Sequence, residues 1–204
     1  MSFDLSNIAV LTGDIVKSTS YSRDERDALF AALKAGAEAV EALQNLPPLF
    51  ERFSGDSWQM LVQPKLALRA CLLMRAFIRQ ESKAFETRIS VGVGAVEPLS
   101  PEGLGASDGA AFQASGRGLA ALKGARNFSV NTPDLPVFIL ADEISKKWTQ
   151  AQARVLSISL MRPRPTQESI AGAVGISQQS VQNHLVAAGE PALLAVLNIL
   201  ENSL

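Results

Sequence analysis

What most narrows the folds open to this chain is a pair of helix-start signals placed on either side of one glycine. Thr166-Gln167-Glu168-Ser169 opens one helix and Ile176-Ser177-Gln178-Gln179-Ser180 opens the next, with Gly175 between them. A hydroxyl at each start accepts a hydrogen bond from an otherwise unpaired backbone amide of the first turn. Ala171, Val174, Ile176, Val181 and Leu185 then fall where two crossed helices joined by a tight turn need small or apolar contacts. The spacing predicts a helix-turn-helix. In such a module the second helix enters the DNA major groove. Gln178, Gln179, Gln182 and Asn183 would face base edges, with Thr166, Gln167 and Ser177 at the helix starts beside them.

Charge argues the other way. The 204 residues carry 19 basic and 20 acidic side chains, so no overall field draws the chain to nucleic acid or to an anionic membrane. From residue 137 on, Lys146, Lys147, Arg154, Arg162 and Arg164 are matched by Asp142, Glu143, Glu168, Glu190 and Glu201. Between Ser177 and Ala188 there is neither lysine nor arginine, although phosphate neutralisation supplies most non-specific DNA affinity. Arg162 and Arg164, just before the motif, are the residues expected to hold the DNA backbone, and a dimer would double every contact. The alternative is a helical module used for dimerisation.

The single cysteine, Cys71, lies in an apolar run, reads as a core thiol and excludes an internal disulfide. No segment has the length and apolarity of a membrane span and the start lacks a secretion-signal pattern, so the expectation is a cytoplasmic protein without a membrane partner.

Upstream of the motif the periodicity alternates between strand and helix. Ile8 to Val16 predicts a buried strand that delivers Asp14 near its end. Asp24 to Gln44 predicts a helix, with Leu29, Leu33, Val40 and Leu43 on one face and a stop before Pro47-Pro48. Leu49 to Phe53 and Trp58 to Val62 predict a hairpin around Ser54-Gly55-Asp56-Ser57. Lys65 to Arg79 predicts a helix over a sheet, with Lys65, Arg69, Arg75 and Arg79 as a thin solvated stripe. Thr87 to Val96 predicts a strand, Ala110 to Leu122 a helix, and Phe128 to Val130 a last short strand. This order predicts an α+β fold on a ferredoxin-like plan over residues 1–136, followed by an all-α helix-turn-helix domain over 137–204.

Two carboxylates at the ends of neighbouring strands, each beside a glycine, are what a magnesium-nucleotide site requires, and Asp14 and Asp56 form such a pair. The plain alternatives are that Asp14 caps a helix and Asp56 is a turn residue. Asp14-Ile15-Val16-Lys17-Ser18-Thr19 resembles the first strand end of class III nucleotidyl cyclases, and Gly55-Asp56 their second metal-binding turn. The resemblance implies a metal set of Asp14, Ile15 and Asp56 taking Mg2+ or Mn2+. Gly109, Gln113 and Arg117 match the spacing of the family's glycine, asparagine and arginine on one helix, which makes Arg117 the implied transition-state arginine. Gln113 replaces the ribose-positioning asparagine. Arg52 stands where purine selection is usually made by lysine or glutamate, and Ala106 replaces its base-reading partner, so each position that would orient the nucleotide departs from the family.

Over its whole length the chain resembles the SatD-like family of bacterial proteins. The stretches that carry this are Leu11-Thr12-Gly13-Asp14-Ile15-Val16, Arg52-Phe53-Ser54-Gly55-Asp56, Ser107-Asp108-Gly109 and Trp148-Thr149-Gln150-Ala151-Gln152. Three functions follow as expectations. The first is a homodimeric transcriptional regulator whose cyclase-like half binds a nucleotide or related phosphate ligand through Arg52, Gly55, Gly109, Gln113 and Arg117. The second is an active metal-dependent cyclase or phosphotransferase. The third is a non-catalytic dimerisation or partner-binding protein.

Overall fold

The computed structural model describes residues 5–44, 49–122, 124 and 126–202. Among them are a five-stranded mixed sheet and eight α-helices, so the fold class is α+β. Strand β1 (Ile8–Ile15) lies at the centre. It pairs antiparallel with β3 (Ser57–Val62) on one side and with β4 (Thr87–Gly94) on the other. Strand β2 (Phe50–Ser54) forms a hairpin with β3, and β5 (Phe128–Val130) adds parallel to β4, giving the order β2-β3-β1-β4-β5.

Alternation along β1 divides the core between the two faces of the sheet. Ala9, Leu11 and Ile15 join one apolar cluster, which includes residues of α1 (Arg23–Glu41) and α2 (Ala67–Glu81). Ile8 and Val10 face the other way and pack with Ala111 and Phe112 of α3 (Ala110–Ala121). Helix α1 starts with a full capping box, Ser22 bonding the Glu25 amide and Glu25 bonding the Ser22 amide. It ends at Glu41. The expected stop at Pro47-Pro48 lies outside the described residues. Helix α3 lies so close to β4 that a Cβ on Gly92 would overlap the carbonyl oxygen of Ala111, so this position takes only glycine.

The helix expected to show a solvated stripe does not. Lys65 is exposed in a 3-10 turn before α2, but Arg69, Arg75 and Arg79 are 2%, 0% and 6% exposed. They are covered because the C-terminal helices pack on that face of α2. The C-terminal helices are α4 (Leu135–Ser145), α5 (Gln150–Ser159), α6 (Gln167–Val174), α7 (Gln178–Ala187) and α8 (Glu190–Asn202), of which α4 and α5 pack on α2 and α8 reaches Arg69. Each buried guanidinium meets an acid or a backbone oxygen on another element, as a desolvated cation must. Arg69 bonds both oxygens of Glu201 in α8, at 2.6 and 3.1 Å, and the Leu160 carbonyl. Arg75 pairs with Glu86 at 3.0 Å and with Asp142 of α4 at 2.8 Å, and lies over the Phe128 ring. Arg79 pairs with Glu86 and donates to the Lys146 carbonyl.

One apolar cluster therefore runs from the sheet through α2 into Phe138, Trp148, Leu156, Ile170, Val181, Leu185 and Leu197. Residue 137 lies within α4, which rests against β5 as well as α2. Cys71 is fully buried in this cluster, and burial pushes its thiol well above the usual range. Among the described residues no single helix is long and apolar enough to cross a membrane.

Candidate functional site

The two helix-start signals act as caps. Thr166 Oγ1 accepts from the Ser169 amide and Ser177 Oγ from the Ser180 amide, both at 3.1 Å. Gly175 takes a left-handed conformation, φ 76°, that ends α6 at no steric cost, while the amides of Gly175 and Ile176 return to the Ala171 carbonyl. Ile170, Ala171, Val181 and Leu185 turn inward onto α5 and α8, and Gln178, Gln179, Gln182 and Asn183 remain exposed on α7. The exposed amides also bond one another: Gln179 Nε2 donates to Asn183 Oδ1 at 3.1 Å, and Gln167 Nε2 donates to Gln182 Oε1. His184 turns away from this row and lines a cavity with Gln80, Gln150 and Arg154.

Arg162 and Arg164, expected to hold phosphates, are anchored on buried acids. Arg162 pairs with Glu201, and Arg164 pairs with Glu190 at 2.5 Å. Each side chain is still nearly half exposed, at 42% and 49%. From residue 165 to the end the sequence holds no lysine or arginine.

In the sheet half, the turn that carries Asp56 docks at the end of the strand that carries Asp14. The Ile15 amide donates to the Asp56 carbonyl at 3.1 Å, docking the β2–β3 turn against the end of β1, and Ser18 Oγ donates to Asp56 Oδ2 at 2.5 Å. Gly55 makes the turn at φ 49° with open space around it. Arg52 donates to the Gly55 carbonyl at 2.8 Å and stacks 3.8 Å over Phe30, so it braces the turn. Arg52, Gly55 and Asp56 line one hollow with Ser18, Thr19 and Arg26.

Asp14 has a partner that the sequence reading missed. It faces Arg88 across the β1–β4 pair, and the guanidinium bonds both of its oxygens, Nε to Oδ1 at 2.8 Å and Nη2 to Oδ2. The Asp14 carboxylate, through this hydrogen bond, holds the Arg88 guanidinium above its ordinary pKa. Strand alternation sets Arg88 on the same face as Ser90, but only the β1–β4 register brings it opposite Asp14. Both carboxylates are thus engaged within the chain, Asp14 by Arg88 and Asp56 by Ser18. Among the described residues no group of three or more acids, histidines or cysteines could hold a metal ion.

The remaining expected ligand residues sit on α3, away from this hollow. Gly109 precedes the helix at φ 135°, where a Cβ would press on the Ala95 carbonyl oxygen and Val96. Asp108 accepts from the Gly109 amide at 2.7 Å, which lowers its pKa, and from Gln113 Nε2 at 3.2 Å. Arg117 is exposed and lines a different groove, with Ser90 and Ser129.

Replacing Arg88 by alanine tests what guards the carboxylates. The Arg88 side chain is 38% exposed, so loss of the pair costs under about 1 kcal/mol. With Asp14 freed, millimolar Mn2+ raises the melting temperature of the variant and leaves the wild type unchanged. Equal stabilisation of both proteins would show that Arg88 does not occupy a cation's place. No family model matches the chain, and no curated protein matches it.

Proposed function

We propose that the chain is a homodimeric DNA-binding regulator of the SatD-like kind, with α6 and α7 as its helix-turn-helix. The observation that carries this reading is the capped α6–Gly175–α7 corner with Gln178, Gln179, Gln182 and Asn183 exposed in a row on α7. Amide side chains suit the paired donor and acceptor of an adenine edge. The preceding half is taken as a ferredoxin-like, cyclase-like domain that binds a phosphate-bearing ligand, and the helices from 137 on as an all-α domain that reads DNA in the cytoplasm.

The buried arginines of α2 bear on how the halves communicate. Because Arg69, Arg75 and Arg79 lash the C-terminal helices to α2, a ligand acts by favouring one arrangement of two rigid protomers, which sets the spacing of their α7 helices. Turnover is the less supported reading. Arg88 holds Asp14, and a Mg2+ or Mn2+ ion shared with Asp56 would have to displace it.

Selection of duplexes from a random pool by the full-length protein tests the reading. The expected result is enrichment of two related half-sites about one helical turn apart. Changing Gln182 and Asn183 to alanine relaxes the choice at the contacted bases, each lost contact being worth about 1–3 kcal/mol. A pool that leaves selection unenriched, at low salt and with nucleotides present, contradicts it. That outcome favours the partner-binding alternative, to which the absence of basic residues after position 164 lends its support.

A further inference from the structure

Four residues that no reading above joins into a site lie together on the α3 side of the sheet. Ser90 of β4 is 1% exposed and its hydroxyl has no hydrogen-bond partner among the described residues, an arrangement that ordinarily costs stability unless something completes it. Ser129 of β5 is its neighbour in the parallel register. Gly118 of α3 lies directly over the pair: a Cβ there would overlap Ser90 Oγ and would stand 3.8 Å from Ser129 Oγ. The missing side chain lets α3 close over the two serines, and both line a groove of about 320 Å3 together with Arg117.

The electrostatics of this groove are one-sided. Its lining residues are Ser90, Ala114, Arg117, Gly118, Ser129, Val130 and Asn131, with no carboxylate among them. Asn131 is committed, its side chain bonding the amide and the carbonyl of Val93. Arg117 forms no ion pair with the described residues. The groove thus offers one free cation and two hydroxyl donors, one of them buried and unused, to a ligand that brings acceptor oxygens and negative charge.

We infer that this groove binds a phosphoryl group, with Arg117 neutralising it and the Ser90 and Ser129 hydroxyls donating to its oxygens. The inference rests on the reading of the α+β half as the ligand-binding part, and it moves the phosphate from the Gly55–Asp56 turn to the β4–β5 side of α3. The source is either free phosphate or the phosphate ester of a larger molecule.

Amide-resolved NMR titration of the full chain separates these cases, using inorganic phosphate and a nucleoside monophosphate, each matched to sodium chloride at equal ionic strength. The expected result is saturable movement of the Ser90, Gly118 and Ser129 amides. Binding should weaken about tenfold or more in both Ser90→Ala and Arg117→Gln. Ser90→Ala removes only an unpartnered hydroxyl, so the variant stays folded and its unliganded melting temperature does not fall. Tighter binding of the monophosphate identifies an ester as the ligand, and equal binding identifies free phosphate.

Variants that bind as the wild type does, or shifts no larger than those from chloride, overturn the inference. If a nucleotide moves only the amides around Gly55 and Asp56, the phosphoryl site falls and the ligand-binding reading stands. If neither probe moves any amide, both fall.

Discussion

Arg75→Ala unfolds at a much lower denaturant concentration than the wild type, with a loss of about 3–5 kcal/mol in the free energy of unfolding. Arg75 and Asp142 are both 0% exposed and pair at 2.8 Å, while the same guanidinium bonds Glu86 and Ser145 and covers the face of Phe128. Removing it leaves the Asp142 carboxylate in the core, with Lys146 at 3.0 Å as its remaining cation and the Asn127 amide as a donor. The stranded charge dominates the cost, so Arg75→Met, which retains most of the volume, loses nearly as much. Adding Asp142→Leu to Arg75→Met recovers only part of it, because the buried carboxylate is gone but Lys146 and the Asn127 amide lose their acceptor. Urea titrations of the three variants check this. A loss below about 1 kcal/mol for Arg75→Ala would show that the pair is solvated and that α4 is not held through it. Set against a typical stability of about 5–15 kcal/mol, the expected loss places the variant near the limit of folding at 37 °C.

The second large effect is at Trp148, between α4 and α5. Its indole is 1% exposed, and Nε1 donates at 2.9 Å to the carbonyl of Ala188, the residue that ends α7. Trp148→Ala deletes a large side chain and leaves that carbonyl without its donor, at a cost of about 3–5 kcal/mol. Because Trp148 belongs to the same cluster as Trp58 in the sheet, the loss lowers one shared transition. Fluorescence of the remaining Trp58 and far-ultraviolet dichroism of the helices should give coincident unfolding curves. Two separated transitions would contradict a core common to the sheet and the C-terminal helices.

Much of this architecture was legible in the chain because it is local. An apolar, β-branched run marked β1, alternation marked β4, the Gly55 turn marked the hairpin, and the cap residues Ser177 and Thr166 marked the starts of α7 and α6 to the residue. What could not be read was long-range pairing. A helix that is apolar nearly all round apart from Arg69, Arg75 and Arg79 looks the same whether the arginines meet water or carboxylates. The acids that bury Arg69 and Arg75 are 132 and 67 positions away, at Glu201 and Asp142. The expected solvated stripe was for this reason an interface.

The same limit applied at the candidate sites. Asp14 and Asp56 were recognisable as carboxylates at strand ends, but the residue that neutralises Asp14 depends on the β1–β4 register, which no local pattern reveals. Arg162 and Arg164 were readable as cations before the motif, and their anchoring on Glu201 and Glu190 was not. Ser90 gave no signal at all, since a serine inside a strand says nothing about whether its hydroxyl finds a partner.

Titration of a labelled selected duplex and of its scrambled counterpart, at low and at moderate salt, is the most direct test of the claim that α7 reads DNA. With no cation on α6 or α7, phosphate contacts are few, so affinity for the selected duplex should fall gently with salt while the preference over the scrambled sequence persists. That preference should shrink in the Gln182→Ala, Asn183→Ala variant. Equal affinity for both duplexes in wild type and variant alike would mean that the exposed amides of α7 do not contact bases.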